Sequence, residues 1–361
     1  MSNYLTTMNH DLQGLTKLIL GKRFSPNFNS VPVFSLLRDI CITLYEANKV
    51  LKEDGIIHTD LPNINVIREI RHKVKTNQGI KNRETFIKLL NGHKSIFGHD
   101  IDNLGFYLDD TTLAGSTLFG TFIFADTPLF NMMNKNVILD FSITIGSLIQ
   151  EILYKINQPI GLESKPLKIF NEKEYILKDI WDKRFFKSDI TYNVFLTRLL
   201  LIQNEIITCV WLKNHLDCTS LNLTLDKYIL LRLTSIKLFE TMRNLLDIQK
   251  LLPQHWNAIN LTVLDPILNR YKSTHIDEIK TLRNMLHYSN HRTNFYDYIH
   301  IQTNRDPIYP DKLIETIFND YIYKIRNVIS TSLNIRSYES MNDFEKIVRR
   351  IKSRYYPNTI Q

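Results

Sequence analysis

In the stretch "DEIKTLRNMLHYSN", residues 277–290, Arg283 is followed at once by Asn284 and, one helical turn on, by His287. Arginine presents a permanently charged, planar fork that matches phosphate oxygens, and histidine exchanges a proton near neutral pH. Cleaving RNA without a metal needs a base for the 2′-hydroxyl, a proton donor for the leaving oxygen and positive charge on the crowded phosphorane. One arginine and one histidine, doubled across a dimer, can supply all three. At about 100° per residue, Ile276, Ile279, Leu282 and Leu286 form an apolar stripe, and Arg283 and His287 fall together on its flank. The same position also suits a structural role. Arg283 can lay its stem along the core edge while the helix C-terminus favours a His287 cation.

Other polar groupings compete for attention. "HYSNHRTNFYDYIH" sets His287, His291, Arg292 and His300 among aromatic residues, a mixture that can stack on bases and contact phosphates or simply pack as core. Near the C-terminus, "NDFEKIVRRIKSRYY" places Arg349, Arg350, Lys352 and Arg354 around apolar residues, an amphipathic basic helix. Such a helix can lie on a phosphate backbone or an anionic membrane surface, or pack on its own lobe with its charges in water. His99, Asp100, Asp102, Asp109 and Asp110 can be drawn together around a hard cation, the basis of a metal-dependent reading. The same aspartates can equally start turns.

These residues need a scaffold, and the chain predicts a helical one. Its 361 residues, 43% hydrophobic and 23% charged, fit a folded protein of one large or two ordinary domains. Helices are expected over about 31–52, through "LPNINVIREIRHKVKTNQGIKNRETFIKLLNGH", over 137–156, and then at 190–216, 223–252, 275–289 and 311–333. Ser273 and Thr274, with Asp277 and Glu278 in the next turn, mark a capped start near His275. Gly98, Gly105, Gly115 and Gly120, set among β-branched and aromatic residues, predict a hairpin or ordered apolar loop near 98–131. "NQPIGLESKPLK" reads as a linker near Gly161 between an N-terminal lobe, 1–160, and a C-terminal lobe, 161–361.

The net charge of +8 makes polyanions such as RNA natural partners. Cys41, Cys209 and Cys218 are odd in number and form no CxxC pair, which argues against a disulfide framework or zinc knuckle and for the cytoplasm. The N-terminus lacks a secretory pattern, and apolar stretches such as "VILDFSITIGSLI" fall short of the roughly 20 residues of a membrane span. No dinucleotide or P-loop glycine pattern is present, and no cofactor is expected.

"LRNMLHY" on a late helix resembles the signature helix of the HEPN superfamily: an arginine, a polar residue, then a histidine. The family pattern leaves four to six residues between arginine and histidine, whereas three separate Arg283 from His287. Arg270 and His275 in "RYKSTH" have the family's spacing but straddle the turn expected before the helix. The resemblance implies a helical bundle, a homodimer formed through these helices, and a metal-independent ribonuclease of the kind found in toxin and phage-defence systems. Non-catalytic binding members also exist. On this resemblance Arg283, Asn284 and His287 are the catalytic residues. There is also an internal echo, "ETMRNLLDI" (240–248) against "KTLRNMLHY" (280–288). If it is structural, Arg243 and Asp247 pair along one helix and Glu240 contacts Arg283.

The sequence therefore predicts an all-α, two-lobed helical bundle with a small glycine-rich insertion. Three functions follow from it: an RNA-directed effector acting through Arg283 and His287, a non-enzymatic protein that docks a partner at its apolar loop 113–131, or a metal-dependent enzyme using 99–110.

Overall fold

The computed structural model describes residues 4–22, 31–72, 83–97, 103–124, 135–157, 162–168, 175–288 and 293–338, with Thr127 and Leu129. Its framework is four long helices: α1 (Tyr4–Lys22), α2 (Val31–Glu53), α7 (Ile190–His215) and α8 (Leu225–Leu251). Around them lie α3 (Ile64–His72), α4 (Arg83–Phe97), α5 (Thr117–Phe124), α6 (Lys135–Ile156), α9 (Asp265–Arg270), α10 (Ile276–Asn284), α11 (Phe295–Arg305), α12 (Tyr309–Glu315) and α13 (Tyr323–Ser332). The fold is all-α in class.

The central helices begin where their caps dictate. Asp189 accepts from the Thr191 N–H at 2.8 Å to start α7, and Thr224 accepts from Lys227 at 3.3 Å to start α8. Both helices are buried on most faces; α7 is largely apolar, whereas α8 also buries Asp226, Lys227, Arg232, Lys237 and Glu240. By length and composition α7 could cross a membrane, a feature the sequence reading missed. Its apolar window is wholly buried, and buried Arg198, Gln203 and Asn204 lie along it, which fits a central core helix.

The glycine-rich segment does form a hairpin. β1 (Asn103–Asp109) pairs antiparallel with β2 (Thr112–Ser116) through a tight turn at Asp110, whose φ of 52° asparagine and aspartate tolerate. A strand not anticipated from the sequence, β3 (Ile176–Trp181), adds to the other side of β1, giving the order β2-β1-β3. The free edge of β2 is closed by side chains of two helices. Gln203 donates to the Leu113 carbonyl at 2.7 Å, Asn204 accepts from the Ser116 N–H at 2.9 Å, and Ser330 accepts from the Leu113 N–H at 3.0 Å. Of the apolar segment 113–131, Leu113, Leu118, Phe119, Phe122, Ile123 and Leu129 are buried and Phe124 is half-buried, while 125, 126, 128, 130 and 131 lie outside the described residues.

Residues on both sides of the expected boundary near 161 enter one continuous core, which runs from Tyr4 to Ile335. Helix α1 packs on α8, and α2 packs on α7. Each crossing buries an ion pair. Arg232 holds Asp11 at 2.8 Å, and Arg38 holds Glu205 with Nη2 to Oε2 at 2.6 Å.

Candidate functional site

The segment that carries Arg283 starts further back than its sequence suggests. Helical backbone runs on from α9 through a π-helical turn, Tyr271–His275, into α10, so Ser273 and Thr274 lie inside a helix and cap nothing. Arg270 and His275 therefore lie on helical backbone instead of straddling a turn. They serve other partners: Arg270 pairs with Asp320 at 2.8 Å, and His275 Nδ1 lies 2.6 Å from the Tyr321 hydroxyl.

The far end also differs from expectation, because α10 stops at Asn284, short of the predicted Ser289. Beyond it the turn tightens: Leu286 N–H donates to Arg283 O and His287 N–H to Asn284 O, each at 3.1 Å. Tightening rotates His287 away from Arg283, and the two side chains reach different helices. Arg283 goes to Glu240 on α8, with Nε and Nη2 at 3.3 and 3.2 Å from Oε1. This is the contact implied by the internal echo. His287 Nδ1 goes to Glu46 Oε2 on α2, at 2.8 Å. Two buried anchors hold the turn. Leu286 packs with Ile42 and Ile236, and the Tyr288 hydroxyl donates to Asp11 at 2.8 Å.

Glu46 is the pivot of the site. It is buried, with 3% of its side chain exposed, and its other oxygen takes the Nη2 of Arg71 from α3. Burial alone would raise its carboxyl. The His287 hydrogen bond and charge, followed by those of Arg71, outweigh burial and hold it below the usual glutamate range. An ionised carboxylate can only accept, so His287 donates Nδ1–H, and Nε2 is the nitrogen left to take up or release a proton. Among the described residues Nε2 has no partner. Glu240 behaves in the opposite way. Its burial outweighs Arg283 and its other cations and raises its carboxyl. The Arg283 guanidinium also sits over the Phe239 ring, with its carbon 5.6 Å from the centroid, and Nη1 lies 3.4 Å from Asn284 Oδ1.

Arg283, Asn284 and His287 are each partly exposed at the end of α10, but they divide into two clusters: Arg283 with Glu240 and Asn284, and His287 with Glu46 and Arg71. The sequence analysis raised Glu240 through the echo. Glu46 and Arg71 carry no local motif that would reveal them. His291, Arg292, Arg349, Arg350, Lys352 and Arg354 lie outside the described residues, as do His99, Asp100 and Asp102. Of the acidic cluster that remains, Asp109 pairs with Arg326 and Asp110 makes the hairpin turn. No group of three or more metal-binding side chains occurs among the described residues. In comparisons with known proteins, no family model matches the chain, and neither a curated protein nor a solved structure resembles it significantly.

Proposed function

We propose that this chain is an RNA-directed, HEPN-like effector that acts on a phosphodiester without a metal, in the manner of toxin and phage-defence ribonucleases. The observation that carries the reading is the Glu46–His287 pair. A buried, ionised carboxylate fixes the imidazole tautomer and leaves Nε2 as the proton-exchanging atom, as a general acid or base requires. In this role Nε2 takes the 2′-hydroxyl proton or returns one to the leaving oxygen. Arg283, steadied by Glu240 and Asn284, offers its outer N–H groups to the phosphate oxygens as charge builds.

The test is cleavage of a mixed RNA pool, with chelator present, by the purified protein and by His287→Ala. The expected outcome is metal-independent cleavage that drops by two to four orders of magnitude in the variant, roughly the contribution of a positioned acid or base. Equal cleavage by both proteins would remove His287 from the chemistry. A folded wild type that neither binds nor cleaves RNA would favour a second reading, a non-enzymatic interaction protein. That reading draws on the pairing of Arg283 and His287 with carboxylates, which also serves to fasten α10 to α8 and α2.

A further inference from the structure

Part of the chain that builds the site occurs twice at a fixed interval. "LLRDICITLYE" (36–46) and "LLRLTSIKLFE" (230–240) align without a gap, a shift of 194 residues, with both leucines, the arginine, Ile42/Ile236, Leu44/Leu238 and the final glutamate identical. Helices α2 and α8 begin at Val31 and Leu225, the same shift apart. Amphipathic helices share leucine spacing by default, so the apolar matches alone would prove little.

The polar contacts are more discriminating. Arg38 reaches Glu205 on α7, and Arg232 reaches Asp11 on α1. Asp11 and Glu205 are again 194 residues apart. Downstream, Arg71 of α3 pairs with Glu46 and lies over the Tyr45 ring at 4.2 Å, while Arg283 of α10 pairs with Glu240 and lies over Phe239. Packing follows the same exchange, because α1 lies on α8 as α7 lies on α2, and α3 on α2 as α10 lies on α8. The equivalent residues Ile42 and Ile236 meet each other, which is where an axis relating the two units must pass. A duplicated unit explains all of these relations together. Chance resemblance between helices explains only the leucines.

The two arginines stand 212 residues apart, beyond the 194-residue register, and correspond through their contacts with the equivalent glutamates and rings; the site at His287 draws on both units. Nδ1 of His287, from the second unit, and Nη2 of Arg71, from the first, sit on the two oxygens of the single Glu46 carboxylate. One carboxylate therefore bridges the His287 imidazole and the Arg71 fork, which makes Arg71 a cation held beside the histidine by a shared partner. Among the described residues, Glu46 takes only one of its five donors. We propose that the chain is an internal duplication whose first unit completes the site, with Arg71 as a second phosphate-binding residue for the RNA backbone. This rests on the reading of the His287 turn as a phosphodiester site.

The experiment is a salt titration of the full-length protein binding a fluorescein-labelled single-stranded oligoribonucleotide, for wild type, Arg283→Ala, Arg71→Ala and Arg71→Lys, each checked by thermal melting. Arg71→Lys keeps a cation on Glu46, and so the fold, but lacks the bidentate fork. Arg71→Ala is expected to weaken binding about tenfold and to lower the slope of log K against log salt by about one, the mark of a lost phosphate contact. Arg71→Lys is expected to bind less tightly than wild type while retaining the salt slope. If both Arg71 variants bind like wild type while Arg283→Ala does not, Arg71 is no ligand and the proposal falls, although the His287 reading stands. If the wild type does not bind, both fall.

Discussion

Replacing Glu205 by glutamine isolates the electrostatics of the α2–α7–α8 crossing. Arg38 grips both oxygens of Glu205, Lys237 lies 3.1 Å away, and Ser35 donates at 2.9 Å. Burial alone would raise this carboxyl, but Arg38 first and then Lys237 pull it down to about 2. That is roughly two units below an ordinary glutamate and corresponds to about 3 kcal/mol of stability at neutral pH. A depressed carboxyl stabilises the fold above its unfolded pKa, and that share is lost as pH falls from about 4 towards 2. Asp39 sits in the same cluster with Lys237 2.7 Å from one oxygen, yet burial outweighs both neighbouring cations and raises it. A raised carboxyl has the opposite sign, and its ionisation costs stability as pH climbs through the raised value. Urea unfolding followed by circular dichroism between pH 3 and pH 8 should show Glu205→Gln losing about 3 kcal/mol at pH 7, with the gap to wild type closing on acidification. Asp39→Asn, which mimics the neutral form that burial favours, should cost less. The reasoning fails if Asp39→Asn proves the more damaging, or if the Glu205→Gln deficit does not shrink at low pH.

Other substitutions test the second crossing and the cap. Asp11→Ala leaves Arg232 buried and unpaired and strips an acceptor from Tyr228 and Tyr288, so a loss of 3 to 5 kcal/mol is expected in chemical denaturation. At Gly14 an added Cβ would stand 2.7 Å from Ile229, so Gly14→Ala should force α1 off α8. A cost of about 1 to 3 kcal/mol is expected from overpacking, read as a lower melting temperature. Asn294 caps α11 by accepting from the Asp297 N–H at 3.0 Å and also accepts from Thr7 at 2.6 Å. Asn294→Ala should cost about 1 to 2 kcal/mol, with faster hydrogen exchange at the start of α11.

The helical class and most long helices were legible because their signals are local. The apolar runs over 190–216 and 223–252 set α7 and α8 close to where the structure has them. β3 was not legible, because its only justification is a partner strand some seventy residues earlier in the chain. The site was half legible. Residue types marked Arg283 and His287, but their common flank was lost when the helix ended at Asn284, an event decided by the burial of Leu286 and Tyr288. Glu46 and Arg71 meet His287 only through tertiary packing, beyond the reach of any local pattern. The proposed duplication leaves its trace in the matched "LLR" and "LYE"/"LFE" runs, which lie 194 residues apart, a longer separation than that of the local echo between 240–248 and 280–288.

The crossed arrangement of the helices has a consequence for synthesis at the ribosome. Asp11 emerges 221 residues before Arg232, and Arg38 emerges 167 residues before Glu205. At about 5 to 20 residues per second, each early charge waits roughly 10 to 45 s for its partner. Over that interval the first helical pair shows water the apolar faces it will later give to α7 and α8. The nascent chain therefore keeps sticky, charge-studded helix faces exposed until the second unit arrives.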